Sequence, residues 1–395
     1  MTQNEKTAAA YAAIDLGATS GRIMLYSTRN GLREVHRFPT PMLRTEEGVF
    51  WDFPTLRDSV LEGLKKLSAR ANRIVSISCD SWAQDFGMLD ADGKLLKNPF
   101  SYRDTSCEIH TRPRLEFISR KYPELRARAA HILHIADLVH YVLCGAIRPN
   151  YSLIAISRLE ETHPLFAKIA DCEVIGEVNH PELKELWGVP VVSGAGHDTA
   201  AAYCGGAPGP NDALISLGTW YMAASPWSKG VEEIPQGFGP LPLPGRVLAR
   251  TFGGMGMWPV QQCVRIWRER GTFPGYKRLD AESEASAMQG MVDPEDKSLF
   301  SPDNMEKAVL ALIGHDATPA EMSLLLTRGL AKNIAQTIRN FGQEFDRVIL
   351  VGGASGSPFI QRLLTEALQR PLTIGDSEAS AMGNILIQQR VMEGK

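Results

Sequence analysis

Two spacings of apolar residues alternate along this chain. An apolar run at 11–14 delivers Asp15, a polar turn runs from Gly17 to Gly21, and a second apolar run at 23–26 leads to Asn30-Gly31. Two strands around a glycine-bounded turn predict a hairpin. Another short strand is expected at 32–38. The period then changes: Leu56, Val60, Leu64 and Leu67 fall on one helical face, with Asp52 as cap and Pro54 in the first turn. RIVSISC (73–79) reads as a core strand ending at Asp80. Asp80, Trp82 and Asp85 follow its end, before a D-A-D-G turn at 90–93.

Residues 99–114 are polar and irregular and hold Arg103, Asp104 and His110. The stretch 124–143 reads as one helical region closed by Gly145. His131, His134 and His140 have helical spacing there around Asp137, which makes a metal site conceivable, but no glutamate or cysteine completes it. Such histidines are expected at a surface or boundary. A short helix at 183–187 and a strand at 190–192 lead into SGAGHDTAAAY (193–203), where His197 and Asp198 precede an alanine-rich helix. The alanines predict a segment packed very closely against it. Asp198 can cap that helix and still do chemistry.

GGAPGPND (205–212) reads as a hinge, dividing the chain into 1–205 and 206–395. A second hairpin, 213–217 and 220–224 around Gly218-Thr219, echoes the first. Residues 225–247 look like a Pro/Gly-rich excursion, 248–252 leads into GGMGMW and a helix at 260–268, and 271–304 suggests loops and short helices. Thr318-Pro319-Ala320-Glu321 is a capping box, after which Met322, Leu326, Leu330, Ile334 and Ile338 recur down one helical face. A buried-type strand at 345–351 ends in Gly352-Gly353. Ser357-Pro358 opens a helix through 368, a short strand follows at 372–374, and 378–391 closes as a helix.

Composition narrows the class. The 395 residues are ample for two cores, and 42 basic against 45 acidic residues, without a basic run, give no sign of nucleic-acid binding. Six cysteines without a CxxC fit a reducing compartment. There is no signal-peptide pattern and no stretch of membrane-spanning length, so a cytoplasmic enzyme or binding protein without a membrane partner is expected. The first hairpin turn can aim backbone N–H groups and the hydroxyls of Thr19 and Ser20 at an oxyanion, with Asp15 placed to hold a cation or an activated water. Strand, glycine pair and helix at 345–368 is a nucleotide-binding grammar, yet GGASG matches neither GxGxxG nor GxxxxGK.

Four pieces stand in one order: DLGATSGR (15–22), GHDTA (196–200), SLGTW (216–220) and VGGASG (351–356). With SISCDSWAQDFGMLD, YRD (102–104), GGMGMW (253–258) and EASAMGNI (378–385), they resemble the FGGY carbohydrate kinases, most of all the rhamnulokinase-like ones. The resemblance implies an α/β fold of two actin-like ATPase (ribonuclease H-like) domains, with mixed sheets flanked by helices around an interdomain cleft where ATP and sugar meet. It implies Asp198 as catalytic base and Asp80, Trp82, Asp85 and His197 around the sugar. Asp15 would lie at the Mg2+, with Thr19, Ser20 and Arg22 lining its turn. Gly218 and Thr219 would hold the ATP phosphates, and Gly352, Gly353 and Ser357 would face the adenosine, Ser357 standing where the family pattern usually has Asn. The expected substrate is a small sugar, a ketose such as L-rhamnulose, for a monomer or homodimer. The chain is shorter than the family pattern after YRD, between 150 and 190 and at its end. That leaves two alternatives: a kinase for another sugar or polyol, and a silent sugar- or nucleotide-binding regulator.

Overall fold

A computed structural model describes residues 9–70, 73–104, 106 and 109–394. The chain separates into two compact units. The first comprises 1–205, 241–248 and 380–395, and the second 206–240 and 249–379. The change of unit at 205/206 falls in the GGAPGPND stretch. The tip of one later hairpin and the last helix group with the first unit, which differs from a simple division into 1–205 and 206–395.

The first unit is built on a six-stranded sheet in the order Gly31–Pro39, Ser20–Ser27, Ala10–Leu16, Ile74–Ser81, Pro190–Ser193, Glu173–Glu177. The hairpin pairs antiparallel with Asp15 opposite Arg22, and its first strand runs parallel to Ile74–Ser81. The Phe53–Ser68 helix buries Leu56, Val60, Leu64 and Leu67, and its Asp52 carboxylate accepts from the Thr55 N–H at 3.3 Å.

The 124–143 region is not one helix. It is a short helix, Pro123–Arg128, a strand, His131–His134, and a second helix, Ile135–Cys144. The strand forms because Phe86–Leu89 offers an antiparallel partner, with Phe86 opposite His134. His134 and His140 are core residues, not boundary ones. His140 Nε2 accepts the Cys79 N–H at 3.0 Å, satisfying a sheet donor that would otherwise be buried unpaired. Within 99–114, of which 105, 107 and 108 lie outside the described residues, a helix begins at Thr111.

The second unit is built on its own six-stranded sheet, in the order Gly239–Leu243, Val247–Met255, Trp220–Trp227, Ala213–Leu217, Val348–Val351, Thr373–Ile374. Ala213–Leu217 is antiparallel to its hairpin partner and parallel to Val348–Val351. Parts of the 225–247 excursion, its first residues and 239–243, are therefore sheet. The Pro319–Asn340 helix carries the expected capping box and buries all five residues of its stripe. Among the described residues no helix is long and apolar enough to cross a membrane.

Candidate active site

Two carboxylates lie at the ends of neighbouring strands of the first unit, and a third opens the helix that follows the next strand. Parallel pairing sets Asp15 directly opposite Asp80, and the next residue, Ser81, bridges to His197, with its N–H donating to the Gly196 carbonyl at 2.9 Å. Asp198 follows at the start of its helix. The C-terminal edge of parallel strands is where open α/β sheets gather ligands.

The three acids are differently supported. Asp15 receives the Arg22 guanidinium at 2.5 Å, while burial and the nearby Asp198 push its pKa up against that arginine's pull. Asp80 is wholly buried. One oxygen accepts from Asn384 Nδ2 at 2.5 Å, and the other, Oδ1, has no partner among the described residues. Burial, then the charges of Asp15 and Asp198, hold its pKa well above the usual carboxylate range. Asp198 is raised by burial to about 6, offset in part by bonds from the Thr199 N–H at 2.6 Å and hydroxyl at 3.2 Å. Its bond goes to the adjacent residue, not to the N–H two or three further on that a capping side chain satisfies.

His197 Nε2 lies 3.5 Å from Asp198 Oδ1, and burial lowers its pKa to about 4, so its imidazole is neutral at pH 7. Its backbone N–H donates to Ser152 Oγ. The loop leading to it is fixed by Asn150. Asn150 Nδ2 donates to Ser193 Oγ at 2.8 Å and the Gly194 carbonyl at 2.7 Å, and its Oδ1 accepts the Gly196 N–H at 3.2 Å. Sequence reasoning missed both Asn150 and Asn384; the latter lies within EASAMGNI but carries no signal until its helix is docked. Gly383 beside it meets the alanine-rich helix so closely that a Cβ would fall 1.8 Å from the Ala201 carbonyl. That is the close neighbour the alanines predict.

The hairpin turn is latched by Thr40, whose hydroxyl donates to the Gly17 carbonyl at 2.7 Å and whose N–H donates to the Thr19 carbonyl at 3.1 Å. Thr19 and Ser20 thus sit one turn from Asp15. Trp82 and Asp85 enter a different construction. Asp85 accepts Trp51 Nε1 at 2.6 Å, Trp82 Nε1 at 2.8 Å and the Tyr102 N–H at 3.1 Å, and is ion-paired with buried Arg114. Both its oxygens are occupied, so it acts here as the hub that fixes two indoles whose rings are 4.3 Å apart.

The second unit holds the remaining candidates. Gly218 and Thr219 form a turn buttressed by GGMGMW: the Met257 N–H donates to the Gly218 carbonyl at 2.9 Å and the Trp258 N–H to the Thr219 carbonyl at 3.1 Å. A cavity of about 740 Å³ brings Gly218, Gly353 and Ser357 together with Met257, Tyr276 and Asp280. Gly352 adopts φ +92°, and a Cβ there would lie 2.8 Å from the Leu217 carbonyl, so it serves the backbone. Among the described residues no cluster of three His, Cys, Asp or Glu side chains is arranged to hold a metal by itself.

Comparison with known proteins bears on this arrangement. Residues 247–392 match the C-terminal domain of the FGGY family of carbohydrate kinases. The chain is 26% identical to rhamnulokinase of Bacteroides thetaiotaomicron, across 95% of this chain and 89% of that protein. It is also 26% identical to rhamnulokinase of Pectobacterium carotovorum, across 94% and 86%. Among solved structures, xylulose kinase from Rhodospirillum rubrum superposes with a TM-score of 0.74 at 15% identity, covering 98% of this chain and 90% of that one. Gluconate kinase from Lactobacillus acidophilus gives 0.76 at 13% identity, with the same coverage. The shared fold is that of two mixed α/β domains with sheets flanked by helices.

Proposed function

We propose that this chain, which the comparisons support as part of the FGGY carbohydrate-kinase superfamily, catalyses ATP-dependent phosphorylation of a sugar hydroxyl, with a ketose such as L-rhamnulose as acceptor. The observation that carries the reading is the cluster of three carboxylates, Asp15 and Asp80 at neighbouring strand ends and Asp198 at the following helix start, with neutral His197 beside Asp198. The acceptor is assigned to the first unit and the nucleotide to the second. Asp198 takes the proton of the acceptor hydroxyl as its oxygen bonds to the terminal phosphorus of ATP and the bond to the leaving ADP oxygen breaks. Its raised pKa suits a base that must bind a proton transiently near neutral pH. His197, uncharged, can donate one hydrogen bond to the sugar. Arg22 and the Thr19–Ser20 turn supply donors for the transferring group, so that position and charge neutralisation carry most of the barrier reduction. Asp80, held by Asn384, orients the acceptor.

The residues also fit Mg2+. The unpartnered, fully buried Asp80 Oδ1 and the mutual repulsion of three acids describe a site that a cation would relieve. Asp15, already paired with Arg22, would hold it in concert with the phosphates, as Mg2+ seldom takes an all-protein cage. The ion would neutralise charge on the phosphate chain.

ADP release measured across ketoses, aldoses and polyols tests the reading, with Asp198→Asn as control. The expected result is saturable turnover on one ketose and a loss of roughly 10²–10⁴-fold in the variant, the usual worth of a general base. Preference for an aldose, acid or polyol would reassign the acceptor. Absence of turnover on the whole panel, or a folded D198N enzyme with near-normal turnover, would overturn it.

A further inference from the structure

The cavity in the second unit is largely apolar, with Met257, Val260, Phe359 and Ile360 in its wall. Such a slot accepts a flat ring but discriminates poorly between rings of similar shape. Discrimination needs a polar group with an unfilled valence. Asp280, in the Tyr276–Ala285 helix, lines the cavity. Ser357 Oγ donates to its Oδ2 at 2.7 Å and accepts the Ile360 N–H at 3.2 Å, so the serine hydroxyl is committed on both sides. Asp280 Oδ1 accepts no hydrogen bond from a described residue. The other lining carboxylate, Glu284, is engaged by Arg362 at 2.7 Å. Partial burial raises the pKa of Asp280 while the Ser357 bond pulls it down, so the ionised form gains from one more donor.

We propose that Asp280 reads the base of the bound nucleotide, its free Oδ1 accepting a hydrogen bond from the exocyclic amino group of adenine. Guanine would present two parallel donors, N1–H and the 2-amino group, and would ask for both carboxylate oxygens, one of which Ser357 already occupies. A single-donor base fits the single free oxygen. This inference rests on the nucleotide reading of the cavity.

The test is calorimetric binding of ATP, GTP and purine riboside 5′-triphosphate, which is ATP without the 6-amino group, to the full chain without acceptor. Wild type is expected to bind ATP about 10-fold tighter than purine riboside triphosphate, as befits a charge-assisted hydrogen bond, and tighter than GTP. Asp280→Ala should bring the ATP to purine riboside triphosphate ratio within about 2-fold by weakening ATP selectively, and Asp280→Asn, which keeps a carbonyl acceptor, should fall between. An unchanged ratio in D280A, equal weakening of both nucleotides, or a wild-type preference for GTP would overturn the assignment. If D280A does not fold, an unchanged ratio in D280N does so. Wild type that binds ATP and its deamino analogue equally sinks the role of Asp280 alone, whereas wild type that binds no nucleotide sinks the nucleotide reading as well.

Discussion

Asp198 shows how one side chain can be set against the stability of its own fold. Its pKa stands at about 6 because burial disfavours the charged form, against 3.8 for a free side chain. A group whose folded pKa is raised contributes most to stability below the unfolded value, and that contribution is lost as pH rises through the folded one. The proposed reaction needs the opposite form. Activity on the best acceptor should therefore climb with pH through about 6 and level off above it, while Asp198's contribution to stability declines between about 4 and 6. His197, lowered to about 4, stays neutral across that rise and adds no second limb. A kcat/KM profile from pH 5 to 8 checks this. A flat profile would remove Asp198 as the titrating base. Asp15 and Asp80 were legible in the sequence because each ends an apolar run; Asp198, after a small-residue stretch, was legible through the GHDTA match. Asn384 and Asn150 were not, since a carboxamide acquires meaning only from the strands and loops it bonds. Trp82 and Asp85 were singled out from the sequence, but only the structure reveals that Asp85's oxygens are filled by indole, backbone and guanidinium donors.

Elements were legible where their periodicity and ends agreed. The Pro319–Asn340 helix has both a reciprocal cap, Thr318 with Glu321, and a stripe four residues apart. Leu330 is buried at 2% exposure within the core formed with Ile334, Ile338, Leu350 and Leu363. Leu330→Ala should cost about 2–5 kcal/mol, through lost burial and the cavity left behind. Denaturant unfolding of wild type and L330A reads this directly, and an unchanged midpoint would show that the stripe contributes nothing to the core. The His131–His134 strand failed the same reading because four residues in a helical neighbourhood offer no period of their own. Its conformation is decided by Phe86–Leu89, more than forty residues earlier in the chain. The last helix hides its orientation for another reason. Two of the residues it turns toward the sheet, Asn384 and Gln388, are polar: Asn384 Nδ2 donates to Asp80, and Gln388 Nε2 donates to the Ala12 carbonyl at 3.0 Å while its Oε1 accepts the Ser76 hydroxyl at 2.7 Å. Hydropathy alone would have faced them to water.

At the scale of the whole molecule, each unit centres on an antiparallel hairpin whose first strand runs parallel to a later one, and each carries one part of the proposed chemistry. The echo between hairpins 10–27 and 213–227 was visible as apolar run, glycine and hydroxyl; the order of the outer strands, which differs between the two sheets, was not, because pairing between distant segments leaves no local pattern. Residues 380–395 close the first unit although they follow the second in the chain. This division predicts that nucleotide and acceptor binding can be damaged separately. The two adjacent glycines of the 351–357 turn differ as probes. Gly352, at φ +92° and pressed against Leu217, would disturb the strand end if replaced, and its loss would report on folding. A Cβ on Gly353 meets no atom within 4 Å, and the residue lines the cavity, so a larger side chain there fills ligand space without pressing on the protein. Gly353→Val should leave the unfolding midpoint nearly unchanged and weaken ATP about 10-fold or more, a loss of about 1.4 kcal/mol or greater. Affinity for the acceptor, whose proposed contacts all lie in the first unit, should stay within about 2-fold, or ~0.4 kcal/mol. Separate calorimetric titrations of each ligand decide the matter: a variant that binds ATP normally and loses the acceptor would reverse the assignment of the two units.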